Sequence, residues 1–313
     1  MAEMKRASPT RIVLGTRGSE LARAQTGAVA DGLRKRWADL IVETKIIRTS
    51  GDHAKKPRNL VSGRKGLFTA EIERALVKGD VDLAVHSAKD LPSKLARGTE
   101  IAAVLPRAPV DDVLVATTPC DLHSIPQNGI VATGSVRRKH QLHWKRPDLE
   151  IVDLHGNVPT RLGKLAKSEW HAIILARAGL ERLGLTKKGQ RVIFDGSEFP
   201  AALLPQEIFL PAGGQGVIAL QARRGDERVR ALIDPLSHFD TRLCLRAERE
   251  FLRWLQGDCN QPVGVLAIVQ GTLMKIRAQV FDLGATAPRE SAVEGPSEDV
   301  EKLAAELFRK VEK

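Results

Sequence analysis

Lys89 and Asp90 sit in HSAKDLPS, directly after an apolar run that reads as a buried strand, VDLAV. A carboxylate held beside a lysine at a strand end stays ionised, accepts hydrogen bonds from N–H donors and stabilises a nearby cation. Comparable turns of the chain carry no other clustered carboxylates, so Asp90 is the best acid/base candidate. The plainer reading is a local ion pair that ends the strand. Three more turns bring small or polar residues to the start of a helix. They are TRGSELA with Arg17 and Ser19, ATGSVRR with Thr133, Ser135, Arg137 and Arg138, and LHGNVPTRL with Asn157 and Arg161. Open α/β sheets place ligands at such strand ends, and helix N-termini attract anions. One arginine near a helix start is more often a surface residue than a ligand contact. Four such turns together suggest an oxyanion-rich pocket between domains.

Two further segments could carry chemistry. Cys259 lies in LQGDCNQPVG, where Gly257 fits the end of the preceding helix, so the thiol falls on a tight loop. A loop thiol near cations is a nucleophile, although a lone loop cysteine is more often incidental. Cys244 falls on an apparent helix and reads as structural, and Cys120 has no supporting pattern. LPAGGQGVIALQAR, residues 210–223, lacks the phosphate-loop pattern GxxxxGK[ST]. It fits equally well backbone lying close to a ligand or a chain return between domains.

The elements that must position these residues follow from patterning. RIVLG is a short strand, followed by a helix capped by Ser19; IVETKIIRT is a second strand. A long polar loop over residues 50–66 leads to the helix FTAEIERALVKG and the strand VDLAVHS. This alternation predicts a parallel sheet wrapped by helices. A break at PRAPVDD precedes a second such unit: DVLVATT, IVATGS, helix VRRKHQLHWKR, strand LEIVDLHG, helix TRLGKLAKS, strand HAIILAR and helix AGLERLG. A third stretch from about residue 239 holds the helix TRLCLRAEREFLRWLQG, two strands (VGVLAIVQG, LMKIRAQVFD) and a last helix from SEDVEKL onward.

The chain has 313 residues, too many for one small core, with 42% hydrophobic and 28% charged residues. No apolar run reaches membrane-spanning length and no signal-peptide core precedes the first strand, so the expectation is a cytoplasmic protein away from membranes. Three scattered cysteines predict neither a disulfide framework nor a metal site. The net charge of +11 predicts an anionic partner. With 4% aromatic residues and no tyrosine, nucleic acid is a poor candidate. A small ligand bearing many carboxylates suits scattered arginines better.

The segments LGTRGSELARAQ, IRTSGD, GRKGLF, DLAVHSAKDLP, TGSVRRKHQL, GNVPTRLGKL, AIILARAGLERLG, LPAGGQG and AERxFLRxLxGxC, in this order, resemble the hydroxymethylbilane synthase (porphobilinogen deaminase) family over nearly the whole chain. The resemblance implies an α/β protein of two periplasmic-binding-protein-like doubly wound domains and a small C-terminal α/β domain. Their expected bounds are 1–107 with 215–236, 108–214, and 237–313, with the active cleft between the first two. It implies a transferase that condenses four porphobilinogen molecules head to tail on a dipyrromethane cofactor held by Cys259. Ammonia leaves each unit to give an azafulvene, which the pyrrole end of the growing chain attacks. Water then releases hydroxymethylbilane, a precursor in porphyrin and haem biosynthesis.

By the same resemblance Asp90 and Lys89 are catalytic, and Lys65, Lys89, Asp90, Thr133, Ser135, Arg137, Arg138 and Asn157 hold the cofactor. Arg17, Ser19, Arg161, Arg182, His155 and Gln215 bind substrate carboxylates. Bidentate arginine–carboxylate pairing is the strong way to hold such groups. No metal is implied. A monomer is expected, passing its product to uroporphyrinogen-III synthase.

Two positions depart from the family pattern. His155 stands where the family usually has arginine before GNV, which predicts weaker binding of intermediates or altered pH dependence. Asp258 stands where glycine usually precedes the cofactor cysteine, which would reshape the loop and disfavour the thiolate. The competing readings are a non-catalytic tetrapyrrole- or polyanion-binding paralogue of the same fold and, on charge alone, a nucleic-acid binder. The first predicts binding without ammonia release; retention of Asp90 and Cys259 argues against it. The second predicts steeply salt-dependent binding to DNA or RNA.

Overall fold

The computed structural model describes residues 11–48, 66–187, 191–255, 262–282 and 284–312, with backbone only at 66–68. The chain divides into two compact units, residues 1–106 with 218–242 and residues 107–217 with 243–313.

The first unit is built on a five-stranded sheet. Its strands are β1 (Arg11–Thr16), β2 (Ile41–Ile46), β3 (Leu83–Ser87), β4 (Thr99–Val104) and, arriving late in the chain, β12 (Ile218–Arg223), in the order β2-β1-β3-β12-β4. Strands β1, β2 and β3 are parallel, and β12 runs antiparallel to both β3 and β4. The expected parallel sheet is therefore mixed. Its cause is the returning chain, which enters the sheet from the opposite end. Helix α1 (Glu20–Arg36) and helix α6 (Glu227–Ile233) cover it, with Val29, Ala30, Leu33, Val229, Leu232 and Ile233 packed against Ile12, Leu14, Leu83 and Val85. Helix α2 (Gly66–Lys78) packs Ile72 and Leu76 against Val81 and Ala84. Burying apolar side chains on both faces is what makes β3 read as a continuous hydrophobic run.

The second unit repeats that order. Strands β5 (Asp112–Ala116), β6 (Ile130–Ala132), β7 (Glu150–Val152), β8 (Ala172–Ala176), β9 (Thr186–Lys187), β10 (Arg191–Phe194) and β11 (Ser197–Leu203) lie as β7-β6-β8-β5-β11-β10-β9. Again three parallel strands meet an antiparallel intruder, here β5. Helices α3 (Val136–Lys145), α4 (Val158–Leu165) and α5 (Arg177–Arg182) connect them. The β10–β11 hairpin was not expected; it turns at Asp195 and Gly196, whose φ values of 51° and 74° suit the tight turns that match strand twist.

The same unit carries a three-stranded antiparallel sheet, β13 (Val263–Gln270), β14 (Leu273–Val280) and β15 (Arg289–Pro296). Helix α7 (Phe239–Trp254) and helix α8 (Val300–Val311) pack Ala247, Phe251, Leu303 and Leu307 onto Val265, Ile276 and Val293. Strand β15 was also missed in the sequence. It is an edge strand whose only fully buried side chain is Val293, so its apolar pattern is thin.

Candidate functional site

Arg17, Ser19, Lys89 and Asp90 in the first unit, and Thr133, Ser135, His155 and Asn157 in the second, follow the C-terminal ends of parallel strands, whereas Arg182 ends α5 and Gln215 precedes β12. In the first unit, β1 runs into Arg17 and the cap residue Ser19, whose hydroxyl accepts from the Ala22 N–H at 3.3 Å. Neighbouring β3 ends at Ser87, where a 3-10 turn carries Ala88, Lys89 and Asp90. Gln25 on α1 donates to the Ser87 hydroxyl at 2.8 Å, which ties the two strand ends together. Asp90 is half-buried, and among the described residues its carboxylate forms no hydrogen bond or ion pair. Beneath this edge His86 is buried, and burial is the chief reason its pKa falls to about 4, with the Arg17 charge adding to the drop.

In the second unit, β6 delivers Thr133 and Ser135. The Thr133 hydroxyl accepts from the Ser135 N–H at 3.3 Å, and Ser135 caps α3 by accepting from the Arg138 N–H at 3.5 Å. Strand β7 delivers His155 and Asn157; Asn157 caps α4 through the Thr160 N–H at 2.9 Å, and Arg161 Nε donates to the Gly156 carbonyl at 2.7 Å. The two loops touch: a Cβ on Gly134 would lie 2.4 Å from the Leu154 carbonyl oxygen and 3.4 Å from His155 Nδ1. Only glycine lets them approach so closely.

Arg137 and Arg138 stand apart from the exposed loop residues. Both are buried on the first turn of α3, and both bind Asp112: Arg138 Nη2 to Oδ1 at 2.6 Å and Arg137 Nη2 to Oδ2 at 2.9 Å. Arg137 Nη1 also donates to Gln141 Oε1 and the Leu210 carbonyl, and Arg138 Nη1 to the Ile174 carbonyl. Gln215 donates to Asp112 Oδ1 at 2.8 Å. Burial by itself would raise the Asp112 carboxyl, but the two guanidiniums and these hydrogen bonds hold it well below the ordinary carboxylate range. One carboxylate faces two guanidiniums, so the cluster keeps an excess positive charge. The Nε–H of each arginine is buried without an acceptor among the described residues.

The glycine-rich segment 210–216 is latched at several points. Arg107 Nε donates to the Gln215 carbonyl at 2.9 Å, Arg182 Nη2 to the Gly216 carbonyl at 2.6 Å, and Glu248 on α7 accepts from the Gly214 N–H at 2.7 Å. Charged side chains thus hold the backbone of this segment at both its carbonyl and its N–H groups. Asp112, Arg107 and Glu248 were not nominated from sequence, because each matters through partners distant along the chain. Burial pulls the Arg182 guanidinium below its ordinary value. Cys244 packs in the core beside Ala247 and Phe251, as expected of a structural residue. Cys120 is half-buried, and burial followed by the neighbouring Asp121 raises its thiol pKa, which makes it a poor nucleophile. Cys259, Asp258, Lys65 and the 50–66 loop, save the first residue of α2, lie outside the described residues. Among the described residues no helix is long and apolar enough to cross a membrane, and no cluster of metal-ligating side chains occurs.

Two mixed, doubly wound α/β sheets of matching strand order, each with hydroxyl, amide and cationic groups at the ends of its parallel strands, define a doubly wound α/β protein with a small C-terminal α/β domain. Residues 12–231 match the family described as porphobilinogen deaminase, dipyromethane cofactor binding domain, and residues 242–312 match its C-terminal domain. Curated porphobilinogen deaminases are similar along their length. That of Moorella thermoacetica is 41% identical over 300 residues, spanning 96% of this chain and 92% of that protein. That of Rubrobacter xylanophilus is 41% identical over 306 residues, spanning 96% and 94%, and that of Syntrophomonas wolfei is 42% identical over 296 residues, spanning 95% and 93%. The chain belongs to the porphobilinogen deaminase family, a family of transferases with a dipyrromethane cofactor. The donor set fits that group. An excess buried positive charge and two buried Nε–H donors without acceptors among the described residues suit a ligand rich in carboxylates.

Proposed function

We propose that this chain is a hydroxymethylbilane synthase that condenses four porphobilinogen molecules, with loss of ammonia, into linear hydroxymethylbilane for porphyrin and haem biosynthesis. The observation that carries the reading is Asp90, a half-buried carboxylate beside Lys89 at the end of β3 with no partner among the described residues. A buried carboxylate usually finds a partner. Pyrrole N–H groups would supply one.

Cys259 would hold the dipyrromethane as a thioether, and the group would supply the pyrrole carbon to which the first unit is joined. Asp90 accepts hydrogen bonds from pyrrole N–H groups and stabilises the cation left as ammonia departs, a case of preorganised electrostatics. Lys89 neutralises a carboxylate of the cofactor or substrate. Lys65, Thr133, Ser135, Arg137, Arg138 and Asn157 hold the cofactor's acetate and propionate groups. Arg17, Ser19, His155, Arg161, Arg182 and Gln215 serve the substrate and the growing chain, the buried members acting through charge and positioning. The three-domain division 1–107 with 215–236, 108–214 and 237–313 is part of this proposal, as are a cytoplasmic monomer and delivery of the bilane to uroporphyrinogen-III synthase.

The test is the intact mass of the chain and of a Cys259→Ser variant, each produced with porphobilinogen available. A gain of two condensed pyrrole units in the parent alone supports the reading. A parent that stays unmodified after incubation with porphobilinogen or preformed bilane overturns it.

A further inference from the structure

The Arg137–Asp112–Arg138 cluster has a geometry that neither the loops nor the chemistry above explain. Asp112 is fully buried at the first position of β5; its Oδ1 accepts a hydrogen bond from Arg138 Nη2 at 2.6 Å, and its Oδ2 lies 2.9 Å from Arg137 Nη2 as an ion pair without hydrogen-bond geometry. Protein acceptors also take the Nη1 groups: the Gln141 side chain and the Leu210 carbonyl for Arg137, the Ile174 carbonyl for Arg138. The one nitrogen of each arginine with no partner is Nε, whose N–H is buried and without an acceptor among the described residues. A guanidinium is a rigid planar fork. Fixing both Nη groups therefore fixes the direction in which Nε–H points. Gln215 fixes Asp112 in turn, donating to Oδ1 at 2.8 Å and to the Val110 carbonyl at 2.7 Å.

We infer that Asp112 is the positioning residue of this site: a resident carboxylate that clamps Arg137 and Arg138, sets their summed charge with it at one positive unit, and leaves their Nε edges for an incoming carboxylate. Without it, two like charges in the first turn of α3 would repel each other. They would turn their Nη edges toward any anion at hand, and the Thr133–Ser135 loop, whose Ser135 caps the helix carrying both arginines, would lose its register. The inference rests on the proposed reading only for what the incoming carboxylate belongs to; the clamp itself is independent of it.

The experiment uses the full chain with Asp112→Ala, which leaves room for an exogenous carboxylate, and Asp112→Glu, which keeps the charge. Two quantities are read: the melting midpoint, and the rate at which the pyrrole mass adduct appears when porphobilinogen is added to cofactor-free protein. Each is measured in sodium formate and in sodium chloride at equal ionic strength. For Asp112→Ala in chloride, adduct formation slows by about tenfold or more, because misdirected contacts are costly in rate. Formate, and not chloride, restores most of that rate and raises the midpoint by about 4 °C or more. A passive packing role would not distinguish the two salts. A folded Asp112→Ala chain that acquires the adduct at the parental rate, or that responds alike to formate and chloride, overturns the inference. Should Asp112→Ala not fold, Asp112→Glu decides it. That variant keeps a midpoint near the parent's but forms the adduct several-fold more slowly, and a parental rate sinks the idea. If the parent itself gains no adduct, the porphobilinogen reading fails, while the formate-specific rise in midpoint still tests Asp112.

Discussion

Arg107 and Glu248 form a two-pronged ion pair, Nη1 to Oε1 at 2.6 Å and Nη2 to Oε2 at 3.2 Å, with the Glu248 side chain fully enclosed. Glu248 also accepts from the backbone N–H groups of Gly214 and Ala267 at 2.7 and 2.9 Å. One carboxylate thus joins the chain crossing after β4, the glycine-rich return, helix α7 and strand β13.

Glu248→Gln should therefore destabilise the second unit by about 3 kcal/mol or more, since removing one member of a buried pair strands the other charge. Arg107→Leu combined with Glu248→Leu should cost less than the two single changes added together. Urea titrations of the four chains, followed by far-UV circular dichroism, check this. Strict additivity would show that the pair does not act as a unit.

His86 predicts an acid weakness in the first unit. Its folded pKa is about 4 against 6.5 for the free side chain. Between those values the unfolded chain binds the proton and the folded one does not, so stability rises with pH. It is complete above about 6.5 and is lost as pH falls toward 4, by up to about 3 kcal/mol. Replacing His86 with Gln should flatten the pH dependence of urea stability in that window. An unchanged slope would mean that the imidazole is not the group responsible.

How much of this was legible in the sequence depends on the range of the interaction. The cap Ser19 acts within a few residues and stands where the pattern places it, whereas Ser135 and Asn157, legible in the sequence as turn residues at helix starts, prove to be caps as well. The Asp195–Gly196 turn was equally local, and its Asp-Gly signal went unread. The parallel setting of β1, β2 and β3 is legible in their alternation with helices, whereas β12 and β5 owe their antiparallel setting to distant segments. Arg137 and Arg138 stand out in the sequence as cations at a helix start, yet their first partner is Asp112, a residue 26 positions from Arg138. Local spacing has no means of naming such a partner.

Gly134 predicts a steric test of the second set of site residues. Any side chain there meets the Leu154 carbonyl at 2.4 Å, so Gly134→Ala must push apart the loops bearing Ser135 and His155. A stability loss of about 1–3 kcal/mol is expected, with a larger proportional loss of activity. Adduct formation and ammonia release at the parental rate in a stable Gly134→Ala chain would exclude these loops from the site.

His155 is exposed on the loop before α4, with Lys164 Nζ donating to its carbonyl at 3.0 Å and the Lys139–Asp153 pair on the neighbouring residues. Arginine offers a fixed charge on a planar fork that matches a carboxylate in two places, which an imidazole does not. Under the proposed function, His155→Arg should tighten binding of the carboxylate-rich intermediates and lower KM several-fold. Equal KM values for the two chains would remove His155 from the binding set.

The place of β12 has a consequence for how the chain is made. Strands β3 and β4 are separated in the sheet by β12, whose residues are Ile218–Arg223. A ribosome that has released β1 to β4 has released a sheet with a central gap, its open strand edges and the apolar faces of Leu83 and Val85 awaiting a segment more than a hundred residues later. Pairing over such a separation is slow, and unpaired edges invite aggregation. The second sheet, whose seven strands are contiguous in sequence, has no such wait. The first unit is thus the part of the nascent chain with most need of a chaperone, even though its first strand is synthesised before any other.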